Sequence, residues 1–152
     1  MTVFVPISRA AAQQWRSTGS ARDVVGYADG PMLRSWLGQG QLDEEEAGFV
    51  ALNHAGVAAL LVEGDSVRLV LAVDREVTSG ELGVVRLPEV SWSDVRSLFA
   101  DEAGAAAAVA SARAAVHGLD LAAALATPEV EQLLDAHDLL WYAPEELDAL
   151  SD

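Results

Sequence analysis

The chain has 152 residues, no cysteine, no lysine and a formal net charge of −15, with arginine supplying all nine of its basic side chains. The absence of cysteine excludes disulfide scaffolds, thiolate metal sites and cysteine nucleophiles. The absence of lysine excludes the usual P-loop, Schiff-base and pyridoxal chemistry and a protein-kinase core, while so acidic a surface repels phosphate backbones and anionic lipid, so neither nucleic acid nor membrane is an expected partner.

This length fits one globular domain spanning residues 1–152 and buries roughly two-thirds of the unfolded chain's surface. Residues 3–7 (VFVPI) form a β-branched run expected as a first strand, and Ser8 is placed to cap a helix over residues 8–17. Residues 24–28 make a second strand, weakened by Gly26. Asp29 and Pro31 open a short helix with Met32, Leu33, Trp36 and Leu37 expected inward. The Gly38-Gln39-Gly40 pattern follows a helix rather than a strand and is no dinucleotide fingerprint.

The clearest helix covers residues 43–62. Asp43 caps it, Glu44, Glu45 and Glu46 match the dipole at its first turn, and Phe49, Val50, Val57, Leu60 and Leu61 recur at helical spacing up to a stop at Gly64. VRLVLAV (residues 67–73) alternates apolar residues on both faces and reads as the central strand of a sheet. Residues 84–87 make another strand, closed by Pro88. Residues 90–99 fit both periods, with a strand from Val95 preferred. Asp101 is expected to cap an alanine-rich helix to His117, stopped by Gly118. Thr127 and Pro128 open a further helix with Val130, Leu133 and Leu134 inward. Residues 138–143 (DLLWYA) hold a short final strand, and Pro144 starts a last helix. Strands and helices do not alternate strictly. The expected fold is therefore α+β: a mixed, mostly antiparallel sheet of about five to six strands packed with helices.

Charge is uneven along the chain. Residues 1–76 carry 6 basic and 10 acidic side chains (net −4), residues 77–152 carry 3 and 14 (net −11), and no basic residue follows Arg113. In that acidic half, residues 137–147 (HDLLWYAPEEL) crowd a histidine, carboxylates and two aromatics together. His137 beside Asp138 suits a general base oriented by a carboxylate, although a helix-ending histidine favoured by the dipole is the commoner case. Trp141 and Tyr142 point to opposite faces of a strand, so one belongs to the core and the other to a pocket wall or the surface. Glu145 and Glu146 suit acid–base work near His137, or simply the positive end of the helix they begin. Arg68 and Arg75 are the cations able to neutralise an anionic ligand at such a site. His54, beside Asn53 on the long helix, reads as a hydrogen-bonded core-edge residue. His54, His117 and His137 lack metal-ligand spacing, so no metal and no cofactor is expected.

The opening VFVPIS, the acidic start of the long helix, VRLVLAV and above all HDLLWYAPEEL resemble a family of small acidic actinobacterial proteins with a C-terminal LLWYA strand. That resemblance implies a fold and a lineage, and it carries no activity and no site residue with it. The first functional expectation is a cytoplasmic, non-catalytic protein-interaction module with a protein partner or a second copy of itself. The second is an enzyme or small-ligand binder with a pocket built by the C-terminal segment beside Arg68 or Arg75.

Overall fold

The computed structural model describes residues 1–37, 43–62 and 65–150. Its elements are β1 (Thr2–Pro6), α1 (Arg9–Thr18), β2 (Ser20–Tyr27), α2 (Pro31–Trp36), α3 (Glu44–Ala59), β3 (Leu69–Asp74), β4 (Val84–Ser91), β5 (Val95–Ala100), α4 (Ala106–Val116), α5 (Leu121–Leu125), α6 (Pro128–Ala136) and β6 (Leu140–Tyr142), with a closing 3-10 turn at Pro144–Ala149. The strands form one sheet in the order β4-β2-β1-β3-β5-β6, and every pairing is antiparallel. The α+β expectation and the central position of β3 are met.

Strand alternation divides the apolar side chains between two cores. Phe4, Tyr27, Val70 and Ala72 face α2 to α6, while Val3, Val5, Leu69, Leu71 and Val73 face α1 and the closing turn. Trp15 anchors α1 to its face of the sheet: the indole N–H donates to the Val90 carbonyl at 3.0 Å, and its ring meets Trp92 edge-on at 5.7 Å. Gln13 and Arg16 then reach Asp148, tying α1 to the closing turn. On the other face Arg113 of α4 donates to the carbonyls of Ala59, Leu60 and Asp65, so a guanidinium satisfies the open C-terminal end of α3.

The caps at Ser8 and Asp43 form as expected, with each side-chain oxygen accepting a backbone N–H of the first turn at 3.2 and 2.7 Å. Several other expectations need correction. Met32 and Trp36 are half-exposed, because a helix of six residues offers one inward position and Leu33 fills it. Phe49 (54% exposed) and Leu61 also face outward. The sheet-side stripe of α3 is built from small residues, Ala47, Ala51 and Ala55, which let the helix lie close, and Phe49 sits about 200° round the helix from Ala51.

β4 does not stop at Pro88 but runs on to Ser91. As an edge strand it tolerates a residue without an N–H. The ladder pairs Arg22 with Glu89 and Val24 with Leu87, and it skips Asp23, which turns to φ 54 opposite the proline. Asp101 caps nothing; it is buried against Arg68, and a 3-10 turn at Ala103–Ala105 begins the alanine-rich helix. Thr127 gives its hydroxyl to the Ala124 carbonyl instead of capping α6. α5, capped by Asp120, was not anticipated, since five residues show too little periodicity. The last helix is a 3-10 turn. β1 lies inside the sheet and β6 at its edge. The Gly38-Gln39-Gly40 pattern and the expected Gly64 stop lie outside the described residues.

Gly26 has a positive role in β2. A Cβ at this position would lie 2.6 Å from Val3 Cγ1 and 3.0 Å from the Phe4 carbonyl oxygen. Gly26→Ala is therefore expected to cost about 1–3 kcal/mol by forcing β1 and β2 apart. Urea unfolding measures this, and a loss below about 0.5 kcal/mol would contradict the close approach.

Candidate functional site

Among the described residues, Arg68 and Asp101 form an ion pair with both side chains buried. Arg68 immediately precedes β3 and Asp101 immediately follows β5, so the β3–β5 pairing brings them together. Arg68 is 1% exposed and Asp101 3%. The guanidinium donates from Nε to Oδ2 at 2.9 Å and from Nη2 to Oδ1 at 2.8 Å, and the Arg68 backbone N–H also donates to Oδ2 at 3.0 Å. Asp101 N–H returns a bond to the Arg68 carbonyl at 3.3 Å. Nη2 also donates to the His137 carbonyl at 3.1 Å. Gly56 of α3 leaves the space for this: a Cβ there would lie 3.2 Å from Arg68 Nη1 and 3.2 Å from Leu139 Cδ1. Arg68 is thus committed to a bidentate pair that holds the start of the C-terminal segment.

His137 ends α6, its N–H bonded to the Leu133 carbonyl, and its ring Nδ1 lies 3.8 Å from Glu102 Oε1. Asp138 is exposed. Trp141 pairs with Phe99 and Tyr142 with Leu98, so the two aromatics do take opposite faces. Tyr142 packs partly buried against the α1-side core, while Trp141 is 62% exposed. Glu145 is exposed, and Glu146 accepts the Ala143 N–H at 2.7 Å, a backbone-capping role. Arg75 donates to the Glu89 carbonyl at 3.0 Å and lies 3.8 Å from Asp94. It stands at the opposite end of β3 from Arg68, seven residues or about 23 Å along the strand. The structure brings Arg68 to the His137 backbone, then, but does not gather Arg75 with the aromatics and glutamates.

The roomier hollows between the described residues lie elsewhere, and the one beside Arg68 holds only about 10 Å³. One of about 460 Å³ is lined by Met1, Thr2, Phe4, Asp29, Glu44 and Gly48. Another of about 360 Å³ is lined by Met32, Ser35, Trp36, Glu81, Leu82 and Ala122. Sequence reasoning missed the second because it placed Met32 and Trp36 inside; the available signal was the shortness of α2, fewer than two turns. His54 supports that hollow from beneath. Its Nδ1 is 2.8 Å from the Leu82 carbonyl, which only accepts, so the proton sits on Nδ1. Its ring also meets Trp36 edge-on at 5.1 Å. Burial pushes the His54 imidazole below its ordinary pKa.

Among the described residues no three His, Asp or Glu side chains group as metal ligands, and no helix is long and apolar enough to cross a membrane. A family model matches residues 1–150, and the chain belongs to that family, a family of unknown function (DUF6912). No curated protein and no solved structure matches the chain.

Removing one partner of the buried pair strands the other charge. Asp101→Leu or Arg68→Met alone is expected to cost about 3–5 kcal/mol, and the two together to recover most of that loss. Denaturant unfolding of the three variants checks this; additive single losses in the double variant would contradict it. His54 gives a separate pH signature. With a folded pKa below the unfolded value of 6.5, stability is full above about pH 6.5 and falls as pH drops toward the folded pKa, because the unfolded chain then holds more protons. Arg34 and Arg16 hold the carboxyls of Asp29 and Asp148 below 3.8, so those groups lose stability only in more acid solution. Unfolding of wild type and His54→Asn at about pH 7.5 and 5.5 isolates the effect. The expected result is a smaller loss in the variant; equal losses would assign the slope elsewhere.

Proposed function

We propose that the protein is a non-catalytic, cytoplasmic interaction module that receives a basic, extended segment of a partner protein at the open edge of β6. The observation that carries this reading is Trp141, 62% exposed at the centre of a three-residue edge strand. An edge strand presents unpaired backbone groups to which another strand can add, and tryptophan is enriched at the energetic centres of interfaces. Leu140 is also exposed, on the opposite face of the strand, and the segments on either side of β6 in the chain carry the exposed acidic side chains Asp135, Asp138, Glu145 and Glu146.

Charge selects the partner. With no basic residue after Arg113, the flank of β6 attracts a basic segment and resists a second copy of the same acidic chain. A homodimer through β6 would juxtapose two such flanks. A ligand pocket in residues 137–146 is the weaker reading, because Arg68 is committed to Asp101 and Glu146 to the Ala143 N–H.

The test is affinity capture of partners from a related actinobacterial cytosol, with light scattering on the isolated protein. Trp141→Ser sits on the surface and should leave stability within about 0.5 kcal/mol. It is expected to weaken the captured complex at least about tenfold, and rising salt should weaken it further. A complex indifferent to both Trp141→Ser and salt, or a stable homodimer, would contradict the proposal.

A further inference from the structure

The hollow beside α2 lies away from β6 and has the features of a small-ligand site. Its walls are the half-exposed Trp36 and Met32 on one side and Leu82 on the other, with Ser35 and Ala122 completing it. Leu82 sits at φ 58, a left-handed conformation that a leucine adopts only when its surroundings impose it. Those surroundings are visible. Gly80 N–H donates to the Val84 carbonyl, Gly83 N–H to the Gly80 carbonyl, and Ala28 N–H to the Gly83 carbonyl. His54 then takes the Leu82 carbonyl and braces the Trp36 ring. One buried residue of α3 therefore fixes both walls, and strained backbone of this kind concentrates at ligand clamps.

The lining also specifies the ligand. Among the described lining residues Glu81 is the one acidic side chain, and none is basic. Arg34 of α2 is bound by Asp29 at 2.9 and 2.7 Å. An indole, a thioether and a leucine accept an apolar body, and the indole face and a carboxylate both attract a cation. The net charge of −15 raises the local concentration of cations over anions. A volume of about 360 Å³ lies at the small end of ligand pockets. The geometry points to a binding site for a small organic ammonium with an apolar body, held between Trp36 and Leu82 with its charge toward Glu81.

The test uses phenethylammonium and its uncharged counterpart 2-phenylethanol, titrated into protein carrying ¹⁵N-labelled tryptophan. Four tryptophans give four indole N–H signals, and Trp36→Phe identifies that of Trp36. The expected result is that phenethylammonium moves the Trp36 signal and binds at least about threefold more tightly than the alcohol. Glu81→Gln, an exposed substitution, should narrow the gap by weakening phenethylammonium while leaving the alcohol's affinity unchanged. The proposal is overturned if phenethylammonium leaves the Trp36 signal unmoved at millimolar concentration, if it moves only the Trp141 signal, if the two ligands bind equally, or if the preference is undiminished in Glu81→Gln.

Discussion

The Arg68–Asp101 pair is the constraint on which the C-terminal half of the molecule depends. Burying two charges costs several kcal/mol per ion unless the geometry is close to ideal. Here the cost is offset by a bidentate pair, a backbone N–H to the same carboxylate and a return bond from Asp101 to Arg68. The remaining guanidinium reach goes to the His137 carbonyl, at the point where α6 gives way to β6. β6 has only three paired residues, too few to set its own register. A fixed carbonyl three residues before it supplies that register from the core. Gly56 belongs to the same device, since any side chain there would crowd both Arg68 and Leu139.

With β6 so placed, the distribution of exposed aromatics follows from topology. Tyr142 has the α1-side core beneath it, whereas Trp141 shares its face with Phe99 at the rim of the helical layer and stays mostly in solvent. At the other end of the sheet Leu82 precedes β4 by two residues, and the short α2 leaves Trp36 and Met32 half-uncovered beside it. The two edges thus carry different chemistry. One offers an open strand with an acidic flank, and the other a braced hollow with a single carboxylate. The partners proposed for both are cationic, in keeping with the acidic charge of the whole chain.

Much of this was legible in the sequence because local physics decided it. The Ser8 and Asp43 caps, the two-faced apolar run of β3 and the opposed aromatics of β6 each depend on a few neighbouring residues. What escaped depended on partners distant in the chain. Asp101 looked like a helix cap and is half of an ion pair with a residue 33 positions away. Pro88 looked like a strand end, but β4 is an edge strand and Asp23 gives way opposite it. Phe49 fitted an inward stripe until alanines occupied the sheet side of α3. Of the candidate site, the sequence located the segment and the face of each aromatic, but not that Arg68 was already engaged or that Glu146 caps the backbone. Those facts rest on the β3–β5 register and on the 3-10 geometry of the closing turn.

A partner strand is proposed to add to the β6 edge. Backbone hydrogen exchange tests it most directly, because strand addition occupies amides that the free protein leaves open to solvent. Adding a captured basic partner should slow exchange in residues 138–143 while leaving α2 and the Leu82 turn unchanged. Protection that falls elsewhere, with residues 138–143 exchanging as in the free protein, would contradict the account.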